Sequence, residues 1–263
     1  MTTVNDILKF IETLAPGYMK EDWDNVGLLC GSEKQQVTKI LVALDPFESV
    51  CKEAAQWGAD LLVTHHPIIF QPARSVTDDN GVGRALLQLI RSNISAINAH
   101  TNLDCAPGGV NDVLAQKLEL SNIGVLDPSG TDNQGRPWGL LRHGTVSCDS
   151  LEAFLERVKV NLGCKGLRYV DGNKPVCHVA VGGGSCADAL RRVADAGCDT
   201  FVTADVKYNQ FWDAKEMGVN LIDAGHFCTE NPIIAVLADK LQAAFPAVEV
   251  KISEIHSDCM KFY

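Results

Sequence analysis

The chain has 263 residues, 46% of them hydrophobic, and a formal net charge of −10 at pH 7. That length suits one large or two modest domains with ample core, and the acidic balance argues against non-specific nucleic-acid binding, which needs cationic surface to displace counterions. Nothing resembles a membrane span, and the start, MTTVNDILKF, lacks the basic and apolar regions of a signal peptide, so a cytoplasmic protein is expected.

In chain order, Thr3 can cap a helix over 4–14, stopped by Pro16. Residues 38–45 read as a buried strand, and 47–57 as a helix closed by Gly58. A strand at 60–64, a helix at 83–92, a strand at 94–99 and a helix at 110–119 follow. The stretch 127–138, DPSGTDNQGRPW, is the clearest loop. Beyond it come a strand near 139–147, a helix opened by Asp149 with Glu152 in capping-box register, a strand at 176–182, a helix at 186–196 and a strand at 199–203. A helix at 206–217, a strand at 219–223, a helix at 231–244 and a strand at 247–253 complete the pattern. Short β-branched runs alternating with helices imply βαβ units and largely parallel sheets. The ten cysteines show no Cys-x-x-Cys spacing and read as reduced thiols.

Two segments echo one another. Residues 94–104, ISAINAHTNLD, and 220–230, NLIDAGHFCTE, are each an apolar run ending in His with a carboxylate four residues on: His100 and Asp104, then His226 and Glu230. Upstream, 58–64 (GADLLVT) matches 197–203 (GCDTFVT), but Thr64 leads into His65-His66 and Thr203 into Ala204-Asp205. We expect an α/β protein of two related halves produced by internal duplication, with a metal site in the cleft between them. The first domain is expected over 1–126 plus 227–263, the second over 127–226.

His65-His66-Pro67 is the sharpest signal. Adjacent strand residues point to opposite faces, so both imidazoles can serve one site only where the strand ends, and Pro67 favours that ending. The plain alternative is a hydrogen-bonded polar pair at a loop edge. Glu230 falls at a helix start, where a carboxylate is favoured with or without metal, and Asp104 sits in a turn leading to a helix. Convergence of three segments at strand ends outweighs these alternatives, since sites in open α/β sheets form beyond the carboxyl ends of strands.

His65, His66, Asp104, His226 and Glu230 supply imidazoles and carboxylates, the ligand set of zinc, manganese, iron and similar divalent ions. One tetrahedral ion takes at most four, whereas two ions sharing a carboxylate use all five and leave positions open for water. His100 is expected to orient a ligand or carry protons. Gly182-Gly183-Gly184-Ser185 lacks a Walker lysine and a dinucleotide fingerprint, so a tight turn is expected there. Asp45 reads as a cap, and Asn25 and Arg74 as possible substrate contacts.

The segments 21–28 (EDWDNVGL), 64–67 (THHP), 100–104 (HTNLD) and 223–226 (DAGH) with Thr229-Glu230 resemble the GTP cyclohydrolase 1 type 2 homologues, also called the NIF-three-like family, from about residue 4 to 255. The resemblance implies a two-domain α/β fold, a dinuclear metal site on the same five residues and a ring-shaped homohexamer. It also suggests a purine nucleotide as substrate. One departure stands out: where such proteins commonly carry a His pair, this chain has Tyr208-Asn209, which makes Tyr208 a second candidate for proton transfer. A metal-dependent hydrolase is the leading expectation. The competing one is a non-catalytic, ring-forming metal-binding regulatory protein.

Overall fold

The computed structural model describes residues 1–263. The chain divides into two compact units, Met1–Leu103 with Ile234–Ser257, and Asp104–Ile233 with Asp258–Tyr263. These divisions differ from the expected 126/127 and 226/227. Residues 121–126 form a strand of the second unit's sheet, and 226–230 continue directly from another of its strands.

In the first unit, α1 (Val4–Leu14) opens on a capping box between Thr3 and Asp6 and buries Val4, Ile7 and Ile11 on one face. Strands β1 (Gly27–Cys30) and β2 (Lys39–Ala43), α2 (Glu48–Trp57), β3 (Leu61–Thr64), α3 (Gly81–Arg91), β4 (Ser95–Asn98) and the short α4 (Thr101–Cys105) follow. Gly58 ends α2 in the left-handed region, φ +76°, and β3 is buried along its whole length, as a central parallel strand must be. The register pairs Ala43 with Thr64 and Thr64 with Asn98, so β2, β3 and β4 end at one level. Asp45, His65-His66 and His100 therefore leave the sheet side by side.

The second unit takes the chain from within α4. It contains α5 (Val110–Lys117), β5 (Ser121–Leu126), the small ladder β6 (Gly130–Thr131) with β7 (Pro137–Trp138), β8 (Leu141–Asp149), α6 (Leu151–Leu162) and β9 (Arg168–Val170). Then come β10 (Val176–Val181), α7 (Leu190–Asp195), β11 (Thr200–Thr203), α8 (Tyr208–Met217), β12 (Asn220–Asp223) and α9 (His226–Glu230). The sheet order is β5-β8-β10-β11-β12-β9, with β10, β11 and β12 parallel. Alternate residues serve opposite faces: Val179, Val202 and Ile222 pack with Leu114, Phe154 and Val158, whereas Ala180, Phe201 and Leu221 pack with Leu190, Val193 and Ala214.

The chain re-enters the first unit within α10 (Pro232–Ala244) and adds β13 (Glu249–Ile252) parallel to β2, giving the order β1-β4-β3-β2-β13. The sheets are mixed rather than largely parallel. Strands β1, β5, β8 and β9 each pair antiparallel, and β1, β5 and β9 were not anticipated because they are short and half exposed, without a continuous apolar run. Ser150, not Asp149, caps α6 through Ala153 N–H, because Asp149 still belongs to β8. Not all ten cysteines are reduced: Cys148 and Cys177, on the adjacent strands β8 and β10, form a disulfide. No helix is long and apolar enough to cross a membrane.

Candidate metal centre

In the first unit, His65, His66 and His100 present ring nitrogens that all lie within 4.8 Å of one another. Each ring is held through Nδ1. His65 Nδ1 lies 2.8 Å from the Ala99 carbonyl, His66 Nδ1 2.7 Å from Asp45 Oδ1, and His100 Nδ1 2.8 Å from Asp24 Oδ1. Carbonyl and carboxylate oxygens only accept, so Nδ1 carries the proton and a neutral ring keeps its lone pair on Nε2. This is the arrangement that orients histidines toward a metal.

The orienting carboxylates are themselves fixed. Asp24 accepts from Thr101 N–H at 3.0 Å and from the Thr101 hydroxyl. Burial works against its charge, but the hydrogen bonds from His100 and Thr101 outweigh it and hold the carboxyl well below the usual range. Asp45 shows the same balance: burial opposes ionisation, and bonds from His256 and His66 override it.

In the second unit, Asp104 and Glu230 are both buried, with carboxylate oxygens within 4.8 Å of each other. Glu230 Oε2 lies 3.0 Å from His226 Nε2, one turn apart on α9, and His226 Nδ1 lies 2.7 Å from Asp205 Oδ2. The four candidate histidines thus share one pattern, an oxygen acceptor on Nδ1.

Backbone closes around Glu230. A Cβ on Gly184, whose φ is +62°, would stand 2.1 Å from Glu230 Oε1, and one on Gly183 would stand 3.3 Å from Glu230 Cγ. The N–H groups of this turn are already used: Gly183 donates to Asn111 Oδ1 at 2.7 Å and Gly184 to Thr229 Oγ1 at 3.0 Å. A tight turn, rather than a phosphate loop, is what these glycines make. Asn111 also donates to the Asp104 carbonyl at 3.2 Å, so one buried amide ties the Asp104 backbone to the glycine turn. The fully buried Arg142 holds the next two carbonyls, Cys105 and Ala106, and pairs with Asp112 at 2.8 Å.

The donor chemistry fits divalent cations. Two carboxylates buried this close repel unless a proton or cation lies with them, and the histidine tautomers put basic nitrogens on Nε2. Burial and the charges of Asp104 and Glu230 push the Cys186 thiol well above its ordinary range.

The remaining candidates are placed as follows. The Asn25 amide donates to the Ile69 carbonyl at 2.8 Å. Arg74 lies in an exposed segment between β3 and α3, and Tyr208 starts α8 with 78% of its surface exposed. Trp23 and Phe70, both exposed, put their rings edge-on to His100 with centroids 6.1 and 6.2 Å away. Asp24, Asp45, Asp205, Asn111 and Gly184 went unassigned as supports for the site. Asp45 and Asp205 do stand at strand ends in the sequence, which is the signal that could have marked them.

Comparison with known proteins places the chain among relatives. The model of the Duf34/NIF3 (NGG1p interacting factor 3) family matches residues 2–259. A "GTP cyclohydrolase 1 type 2 homolog" of Clostridium perfringens is 38% identical over 98% of this chain and 99% of its own length. A "GTP cyclohydrolase 1 type 2" of Helicobacter pylori is 29% identical over 92% of this chain and 93% of its own. Among solved structures, a hypothetical protein of Staphylococcus aureus superposes with a TM-score of 0.92 at 29% identity, covering 99% of both chains.

Proposed function

The chain belongs to the Duf34/NIF3 family, and on that premise we propose that it is a hydrolase working with two divalent cations held by His65, His66, Asp104, His226 and Glu230, with a purine nucleotide as substrate. The observation that carries this reading is the shared histidine pattern: every candidate imidazole has Nδ1 on an oxygen acceptor, and the second unit adds two buried carboxylates. In this reading the two units descend from one duplicated half.

Bound cations would polarise the electrophile and lower the pKa of water. The chain's own residues do the rest. His65 and His66, with ring planes fixed, offer Nε2 without reorganisation, which favours binding because no rotamer freedom is left to lose. Glu230 is prevented from swinging by the Gly183-Gly184 backbone. His100 takes up a proton at Nε2 while Asp24, kept ionised, stabilises the resulting imidazolium. Tyr208 is a second proton-transfer group, and Arg74 and the Asn25 amide oxygen contact substrate. The purine-nucleotide assignment follows the printed names of the relatives, one of which is called GTP cyclohydrolase 1 type 2. A homohexamer is part of the proposal and is checked by light scattering.

The test is metal content per chain together with turnover of GTP and a phosphoester panel, using metal-free protein reloaded with Zn, Mn, Fe or Co. Two ions per chain, with turnover lost in His65→Ala and Glu230→Ala, is the expected result. Two ions without turnover of any substrate would instead favour a regulatory, ring-forming metal protein. No stoichiometric metal would sink the site.

A further inference from the structure

Asp45 is unlike the other orienting groups because it serves two imidazoles. Its Oδ1 lies 2.7 Å from His66 Nδ1, and its Oδ2 lies 2.9 Å from His256 Nε2. His256 comes from the segment that follows β13, and its side chain is 7% exposed. That segment is anchored rather than trailing. Ser253 N–H donates to the Val42 carbonyl at 2.9 Å, and its hydroxyl donates to the buried carboxylate of Glu53 on α2. Glu254 N–H reaches Glu53 Oε1 at 2.9 Å, and His256 N–H reaches Ser253 Oγ at 3.2 Å. The Phe47 ring packs edge-on to His256 with centroids 6.0 Å apart.

We propose that His256 is a positioning residue for the candidate metal centre, acting on His66 through Asp45. A carboxylate bonded through one oxygen can rotate about its terminal torsion and carry its partner with it. An imidazole nitrogen held 2.9 Å from the other oxygen opposes that rotation, so the plane of Asp45 sets the plane and tautomer of the His66 ring. The path runs from Glu53 on α2, through the turn at 253–256, to His256, Asp45 and His66, all within the first unit. Ligand geometry at His66 therefore depends on the carboxyl-terminal segment being docked. The inference rests on the reading of His66 as a ligand.

Two variants separate this role from simple packing. His256→Phe keeps a ring against Phe47 and removes the nitrogen beside Asp45 Oδ2, whereas His256→Gln restores an N–H near the Nε2 position. The first measurement is the imidazole nitrogen spectrum of His66 in metal-free protein, with thermal unfolding recorded alongside. Wild type and His256→Gln should show a fixed Nδ1–H tautomer, and His256→Phe a mixture of tautomers. The second is zinc affinity by competition with a chromophoric chelator, expected to fall about 10-fold in His256→Phe and to recover to within about 3-fold in His256→Gln. An unchanged His66 tautomer with unchanged zinc affinity in His256→Phe would overturn the proposal. A changed tautomer in a protein that takes up no stoichiometric metal would uphold the positioning of His66 and refute the metal reading alone.

Discussion

The first unit orients its candidate ligands by hydrogen bonds to their rings, whereas the second, which steers His226 through Asp205 in the same way, also closes backbone around a carboxylate. In the first, three parallel strands end together and release His65, His66 and His100 onto acceptors supplied by Ala99, Asp45 and Asp24. In the second, the Gly183-Gly184 turn stands against Glu230 while Asn111 and Arg142 hold the backbone around Asp104. The difference follows from ligand chemistry. An imidazole has a second nitrogen through which it can be steered, whereas a carboxylate that keeps its oxygens for a cation is fixed by the shape around it.

The strongest way to break this comparison is to remove the backbone support in the second unit. Arg142→Ala removes the ion pair to Asp112 and one donor from each of the Gly139, Leu141, Cys105 and Ala106 carbonyls, and should destabilise the protein by about 3–5 kcal/mol. Urea unfolding measures it. Gly184→Ala is next. It puts a Cβ into Glu230 Oε1 at 2.1 Å and forces a non-glycine residue to φ +62°, for about 2–3 kcal/mol together with displacement of Glu230. Unfolding curves and zinc titration of the same variant separate the two effects.

Smaller effects sharpen the contrast in the first unit. Asp45→Asn should weaken zinc binding about 10- to 100-fold. Asp205→Asn should weaken it only a few-fold, because Asp205 orients His226 from an exposed position and solvent can replace part of its bond. Parallel chelator competitions on the two variants give the ratio directly.

Asp24 provides the pH test. Its folded carboxyl is held below the ordinary value of 3.8, and a group depressed by folding contributes stability above its unfolded pKa and loses it as pH falls. Urea midpoints should therefore be level near neutrality and decline below about pH 4. Asp24→Asn should lower the neutral-pH midpoint and flatten that decline. An unaltered slope in this variant would remove Asp24 from the acid response.

The central strands were legible because they are buried on both faces and written as unbroken apolar runs, as with Leu61–Thr64 and Leu221–Ile222. The edge strand Arg168–Val170 carries two exposed residues in three and left no pattern to read. The candidate ligands were legible because His and carboxylate recur at fixed spacing after such runs. Their supports were not, because Asp24 and His100 are bonded at a separation of 76 residues, and Asp45 and His256 meet at one of 211 (256 − 45).

The sequence by itself determined which short segments end strands and which of those endings carry imidazoles or carboxylates, since burial periodicity and residue chemistry are local properties. Only the tertiary structure decided that β2, β3 and β4 end in register, that Gly184 must be glycine because Glu230 occupies its Cβ position, and that a histidine from the carboxyl-terminal segment shares Asp45 with His66. Those facts depend on close contacts between residues far apart in the chain. Such contacts are set by how the packed strands align, which no local pattern encodes.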